Sequence, residues 1–275
     1  MSFRWLRHGT ADPWIEFGDL IRAQLKLQVE LSQDRHHRFM VQHGLNDCRH
    51  VVDLGTGNGL FLGKIAQLHP EIRFTGIDEK ADMISEAGSR NEANIRWIRA
   101  DVMSDSVMNL LQTADGILMR YFVLHLPDTA GSLRHILNSS RPGVQLWIFD
   151  LDTEYSVCRP EHPAFTRFQR LVTEFCRKHS VDIRLTAKVP PILKTVGVQT
   201  SEVLPEPFNN QVIDPARFAE YLYREAVLYH HFLHGTHHSA VLQQIRKFLF
   251  QELDPQTRFV QYGMVMIAAG KTATR

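Results

Sequence analysis

The sequence predicts an α/β fold: a parallel sheet covered by helices on both faces. Two observations carry this. From residue 50 onward, short apolar runs of strand length alternate with helical stretches, and that alternation implies right-handed crossovers between parallel strands. The first run also leads straight into three closely spaced glycines, Gly55, Gly57 and Gly59, the turn that such sheets use at a ligand crevice.

In chain order, residues 1–49 read as helical. Phe17, Ile21 and Leu25 share one face, and Gly44 closes a second helical piece. Arg49–Leu54 is a buried strand, and a helix spans Asn58–Leu68. Ile72–Asp78 is the second strand, followed by a helix over Lys80–Ser89. Ile95–Ala100 and Gly116–Tyr121 are the third and fourth strands. A helix over Asp128–Ser139 leads to the fifth strand, Gln145–Leu151. Beyond residue 153 a helix is predicted for Ala164–His179, and Pro190-Pro191 interrupts the segment after it. Thr200–Leu204 can supply a sixth strand. Asp214–His234 and Ser239–Leu253 are helical, and Arg258–Ala269 forms an apolar closing strand.

The 275 residues suit one enlarged domain with a cap. The composition, 44% hydrophobic and 22% charged, suffices for a sizeable core. Lys+Arg at 31 against Asp+Glu at 30 argues against nucleic acid as a partner. The longest apolar runs are far below a bilayer span, which argues against a membrane, and the N-terminus lacks a secretory h-region. A cytoplasmic protein is expected, with a homodimer allowed. Cys48, Cys158 and Cys176 form no CxxC pair and read as free thiols.

The segment VVDLGTGNG, 51–59, carries most of the chemistry. Leu60 stands where a dinucleotide fingerprint needs its third glycine, and no GKS or GKT follows. Asp53 at the strand end would repel a pyrophosphate and attract an ammonium group. Asp78 lies about 20 residues past the glycines, where such folds place an acid on ribose hydroxyls. Asp101, after the third strand, can accept adenine amino hydrogens.

The run from VVDLGTGNG through GIDEKADMI, IRWIRADV, ILMRYFVLHLPD and LRHILNSSRPGVQLWIFDLD, about residues 50–152, resembles class I S-adenosylmethionine-dependent methyltransferases. The resemblance implies a Rossmann-like seven-stranded mixed sheet whose last strand is antiparallel, a place Arg258–Ala269 can fill. It implies N-terminal helices over 1–49 and a helical insertion at about 205–253 as a cap on a cofactor-binding domain spanning 50–275. It also assigns roles: Asp53, Gly55, Thr56, Gly57 and Gly59 to the methionine part, and Asp78 to the ribose. Asp101 and Val102 would bind the adenine, Arg120 and Tyr121 would border the methyl group, and Glu79 and Met83 join the cofactor-binding set. The amine-methylating NPPY motif is absent, since MRYF stands after the fourth strand.

The implied activity is methyl transfer to an O, N or C nucleophile of a small molecule, as in specialised metabolism. The alternative is an enzyme that consumes S-adenosylmethionine itself, such as an azetidine-forming cyclase. A non-enzymatic relative of the fold is the third reading, and the intact acids oppose it. His125 is the candidate base because it follows the fourth strand, and Tyr121 offers an aromatic face to a sulfonium. Trp5, Trp14, Phe17, Tyr221, Tyr223, Tyr229 and Phe232 are candidates for the acceptor pocket. Arg35 and Arg38 read as a solvated helix face. Five of the 15 histidines fall within residues 230–238. His230 and His234 have metal-compatible spacing, but HExxH is absent and no metal is expected.

Overall fold

The computed structural model describes residues 13–271 other than Asn91, Pro127, Ser180, Asp182 and His237, with side chains from residue 18 onward. The sheet is seven-stranded, in the order β3-β2-β1-β4-β5-β9-β7. Its strands are β1 (His50–Leu54), β2 (Arg73–Asp78), β3 (Ile95–Arg99), β4 (Gly116–Arg120), β5 (Gln145–Leu151), β7 (Val198–Pro205) and β9 (Met264–Lys271). β1 to β5 pair in parallel, and β9 runs antiparallel to both β5 and β7. The last strand is therefore the reversed one, as the resemblance implies.

Burial follows position in the sheet. Central β1 is buried along its whole length, whereas every residue of edge strand β3 keeps some exposure. A strand covered on both faces needs continuous apolar residues, and VVDL and ILM supply them. The helices α2 (Leu60–Leu68), α3 (Ala81–Gly88), α4 (Asp105–Leu111) and α5 (Thr129–Ser139) connect the parallel strands. Because strand order reverses between β1 and β4, a crevice opens beyond their carboxyl ends.

Four expectations change. The N-terminal region is one uninterrupted helix, α1 (Pro13–Gln42), and Gly44, at φ 89°, opens a short turn at Leu45–Asp47. Pro190-Pro191 lies inside helix α7 (Leu185–Thr195), held there by the buried side chains of Leu185, Val189 and Leu193. Tertiary burial offsets the lost hydrogen bonds. The closing strand is split. β8 (Phe259–Gln261) pairs with β6 (Val157–Arg159) in a separate ribbon, and Gly263 bends the chain into β9. At that bend a Cβ would lie 2.0 Å from the Asp152 carbonyl oxygen.

The cap region is also wider than 205–253. Helix α6 (Pro163–Lys178) packs with α8 (Pro215–His234) and α9 (Ala240–Lys247) in one apolar cluster that reaches Tyr121 and Leu151 on the sheet. All three cysteines are free and buried. No described helix is long and apolar enough to cross a membrane.

Candidate functional site

The glycine loop is built from the strand outward. Gly55, Gly57 and Gly59 hold φ values of 77°, 60° and 71°, a region that disfavours any side chain. Gly55 and Gly59 are needed for packing as well. A Cβ at Gly55 would stand 2.2 Å from the Phe122 ring, and one at Gly59 would stand 2.5 Å from Trp97. At these two positions protein side chains fill the space that a Cβ would take.

Hydrogen bonding sets the loop's polarity. The N–H groups of Gly55 and Thr56 both donate to the Ile77 carbonyl at 2.9 Å, and that of Gly59 to Thr56 at 3.2 Å. Gly57 N–H donates to Asp78 Oδ2 at 2.9 Å. With these donors spent, a phosphate has little to bind. An ammonium group instead meets the Asp53 carboxylate, whose buried Oδ1 has no hydrogen-bond partner among the described residues. Burial pushes the Asp53 pKa up to about 6. An orphaned buried acceptor is the feature that a cationic ligand would satisfy.

The remaining expected residues fall as follows. Asp78, the last residue of β2, spends its other oxygen on Lys80 N–H at 3.0 Å. Glu79 is half-buried beside it. Asp101 is exposed and accepts from Met103 N–H at 3.0 Å, closing its own turn. Val102 and Met83 are both buried, the first in the sheet core and the second against Ile21, Leu25 and Leu228.

Arg120 closes the small cavity lined by Asp53, Gly55, Thr56, Gly57, Asn58 and Phe61. Its guanidinium carbon lies 4.7 Å from the ring centres of both Phe61 and Tyr121, so one face of the Tyr121 ring already carries a cation. Tyr121 sits at φ 49° and donates its hydroxyl to Met264 Sδ at 3.2 Å. Burial raises its pKa well above the usual phenol range. His125 is buried one short turn later, and burial pushes its pKa down to about 3. That is far from the neutral tuning a general base needs. Asp150 at the end of β5 anchors this turn by accepting from Leu124 N–H at 3.2 Å.

A second cavity, about 740 Å³ with its mouth included, lies under the cap. Tyr121, His125, Tyr221, Tyr229 and Phe232 are among its walls, with Gln24, Gln28 and Glu225. Leu25 and Gln28 line both cavities and form a common wall. Tyr223 packs instead on Phe250, 5.8 Å between ring centres. Trp5 and the side chains of Trp14 and Phe17 lie outside the described residues.

Sequence pattern alone missed Gln24, Gln28 and Glu225. Gln24 and Gln28 share a helix face with Ile21 and Leu25, a polar interruption of an apolar stripe that could have flagged them. Arg35 is another correction. It is no solvated residue but pairs with buried Glu206 at 2.8 Å, while Arg38 is exposed. In the histidine-rich segment, His230 Nδ1 lies 2.7 Å from the Thr236 carbonyl. Among the described residues no group of three or more His, Cys, Asp or Glu could hold a metal ion.

Comparison with known proteins agrees with this geometry. Residues 51–143 match a family described as a methyltransferase domain. A ribosomal RNA large subunit methyltransferase G from Aliivibrio salmonicida is 44% identical over 64 residues, 22% of this chain and 17% of that protein. The chain therefore aligns with about a sixth of that relative's length. Among solved structures, the [4+2]-cyclase SpnF superposes with TM-score 0.58 at 16% identity, covering 88% of this chain and 82% of the other. The plantazolicin methyltransferase BpumL in complex with SAH gives TM-score 0.57 at 13% identity, covering 94% and 91%. Residues 51–143 thus match a methyltransferase domain, in a chain with the fold of class I S-adenosylmethionine-dependent methyltransferases.

Proposed function

We propose that this protein is an S-adenosylmethionine-dependent methyltransferase acting on a small molecule held under the cap. One observation carries the reading: a cavity lined by the buried Asp53 carboxyl, whose Oδ1 has no partner in hydrogen-bond geometry among the described residues, shares the Leu25–Gln28 wall with a larger, mainly apolar cavity. A charged cofactor and an apolar acceptor can then meet across a single boundary.

The chemistry that S-adenosylmethionine supplies when bound is an activated methyl group on a sulfonium. Asp53 would hold its amine, and Asp78, fixed by Gly57 and Lys80 at the end of β2, would meet the ribose. Arg120 and Tyr121 border the crossing between the cavities. The protein's main contribution is alignment, which is worth about 7–11 kcal/mol when the reacting atoms are held near attack distance. The apolar walls exclude water from the crossing.

Fold alone does not fix the reaction, and the structural neighbour that is a [4+2]-cyclase illustrates the point. The curated relatives methylate ribosomal RNA by name, so near-neutral charge no longer argues for a small substrate. The cap cavity does, because its walls are apolar and no described Lys or Arg is among them. Phosphate backbones demand such cations.

The test is incubation of the purified chain with S-adenosylmethionine, with and without a panel of acceptors. S-adenosylhomocysteine formed only with an acceptor supports the proposal. Methylthioadenosine formed without any acceptor would instead identify an enzyme that consumes its own cofactor.

A further inference from the structure

The cap cavity contains a polar end that nothing in the cofactor half explains. Glu225 on α8 is over nine-tenths buried there, as are Gln24 and Gln28 on α1. Among the described residues no Lys or Arg lines the cavity to neutralise Glu225. Gln24 Nε2 donates to Glu225 Oε1 at 2.7 Å. A carboxylate only accepts, so this bond fixes the amide's orientation. Gln24 Oε1 is then left buried with no hydrogen-bond partner among the described residues. Gln28, one turn on, directs its Nε2 at the Tyr221 hydroxyl at 3.4 Å, and its Oε1 is likewise buried and unpartnered.

Three oxygen-bearing side chains, Gln24, Gln28 and Glu225, therefore line an otherwise apolar room whose aromatic walls include Phe175 and Tyr229, 4.8 Å apart between ring centres. We propose that this is an ammonium-binding subsite, and that the molecule held under the cap is an apolar amine. An ammonium group carries up to three N–H donors, one for each oxygen, and a positive charge that Glu225 can balance. Aromatic faces suit a desolvated cation better than a neutral hydroxyl. Burial raises the Glu225 pKa against hydrogen bonds from Tyr229, Gln24 and Tyr221, and a cation bound beside it would hold it ionised. His125, which lines the same cavity, is kept neutral by burial.

The inference deepens the methyltransferase reading in one respect, in naming its acceptor class. It is tested by calorimetric titration of the full chain with 2-phenylethylamine and tryptamine against the matched alcohols, 2-phenylethanol and tryptophol. Each titration is run with and without S-adenosylhomocysteine. The amines should bind at least tenfold more tightly than the alcohols. Glu225→Gln should abolish that preference while leaving alcohol affinity unchanged. If Glu225→Gln does not fold, Gln24→Met serves instead and should cut amine affinity severalfold.

Alcohols binding as well as amines, an amine preference that survives Glu225→Gln, or no binding of any probe would overturn the proposal. Binding of S-adenosylhomocysteine without any amine binding would leave the methyltransferase reading standing and remove only this one. Amine binding without S-adenosylhomocysteine binding would do the reverse.

Discussion

Arg120 Nε donates to His36 Nδ1 at 3.3 Å, which joins the end of β4 to helix α1 across 84 residues of sequence. Arginine has no acceptor, so Nδ1 must accept, and the imidazole proton sits on Nε2. Nε2 in turn donates to Glu206 Oε2 at 2.9 Å. Burial lowers the His36 pKa, which agrees with this neutral tautomer, and its ring stacks 4.0 Å from that of Phe149. Burial works to raise the Glu206 carboxyl, but His36 and Arg35 outweigh it and hold it low.

This chain positions Arg120 at the candidate cofactor cavity. Glu206→Ala leaves Arg35 and His36 without their shared acceptor, and breaking a buried pair costs roughly 3–5 kcal/mol. The midpoint in urea should fall accordingly. A midpoint within error of the parent would mean that the network carries no stability.

Asp53 couples stability to ligand binding with opposite signs. Its carboxyl titrates near pH 6 in the folded chain, above the ordinary value of about 3.9. The folded state therefore binds more protons between these values, and this group's contribution to stability falls as pH rises from about 4 to about 6. Above that window, Asp53→Asn should stabilise the fold by roughly 1–3 kcal/mol, since each tenfold change in proton affinity is worth about 1.4 kcal/mol. The same substitution should weaken S-adenosylmethionine affinity at least tenfold. Paired melting and calorimetry at pH 8 check both, and a destabilised variant would contradict the assigned burial cost.

Asp78 is the proposed ribose ligand, and it also holds the N–H groups of Gly57 and Lys80. From the sequence, Asp78→Ala reads as a loss of cofactor affinity with the fold intact. The structure adds a loosened glycine loop. Amide exchange at Gly57 should rise along with the loss of affinity, and affinity lost without that change would confine the residue to ligand contact.

Gly55 and Gly143 separate backbone strain from collision. Both have positive φ, 77° and 82°, but a Cβ at Gly143 would meet nothing within 4 Å. Gly143→Ala should cost about 1–2 kcal/mol, from the left-handed backbone alone. Gly55→Ala adds the clash with Phe122, roughly a further 1–3 kcal/mol of overpacking. Equal melting temperatures for the two variants would contradict the packing account.

His125 should leave no mark on the pH–rate profile near neutrality. With its pKa pushed to about 3 by burial, it is unprotonated throughout pH 6–9. His125→Gln is expected to change the rate through packing while the profile keeps its shape. Loss of an acidic limb in that variant would restore the histidine to the role of base.

The parts of the fold and site legible in the sequence are those that depend on local pattern. Strand and helix periodicity placed the parallel core, because VVDL and QLWIFDL can only be covered on both faces. The glycine spacing placed the crevice at the end of β1, because few other residues tolerate those backbone angles. The sequence could not place the bend at Gly263, which depends on a carbonyl from residue 152. Nor could it foresee a double proline kept helical by the buried side chains around it. Arg35 read as solvated because its partner, Glu206, lies 171 residues away.

The amino-acid sequence by itself determined the layered α/β sheet and put acids at the ends of its first strands, through short-range pattern and backbone sterics. The reversed last strand followed only from the resemblance to a known family. Only the tertiary structure decided which polar groups lie buried together. Gln24 and Glu225 meet across 201 residues, and no local pattern encodes that a glutamine oxygen is left buried without a partner among the described residues. The candidate acceptor chemistry depends on that juxtaposition, because the cost of an unpartnered polar atom arises only once folding removes it from water.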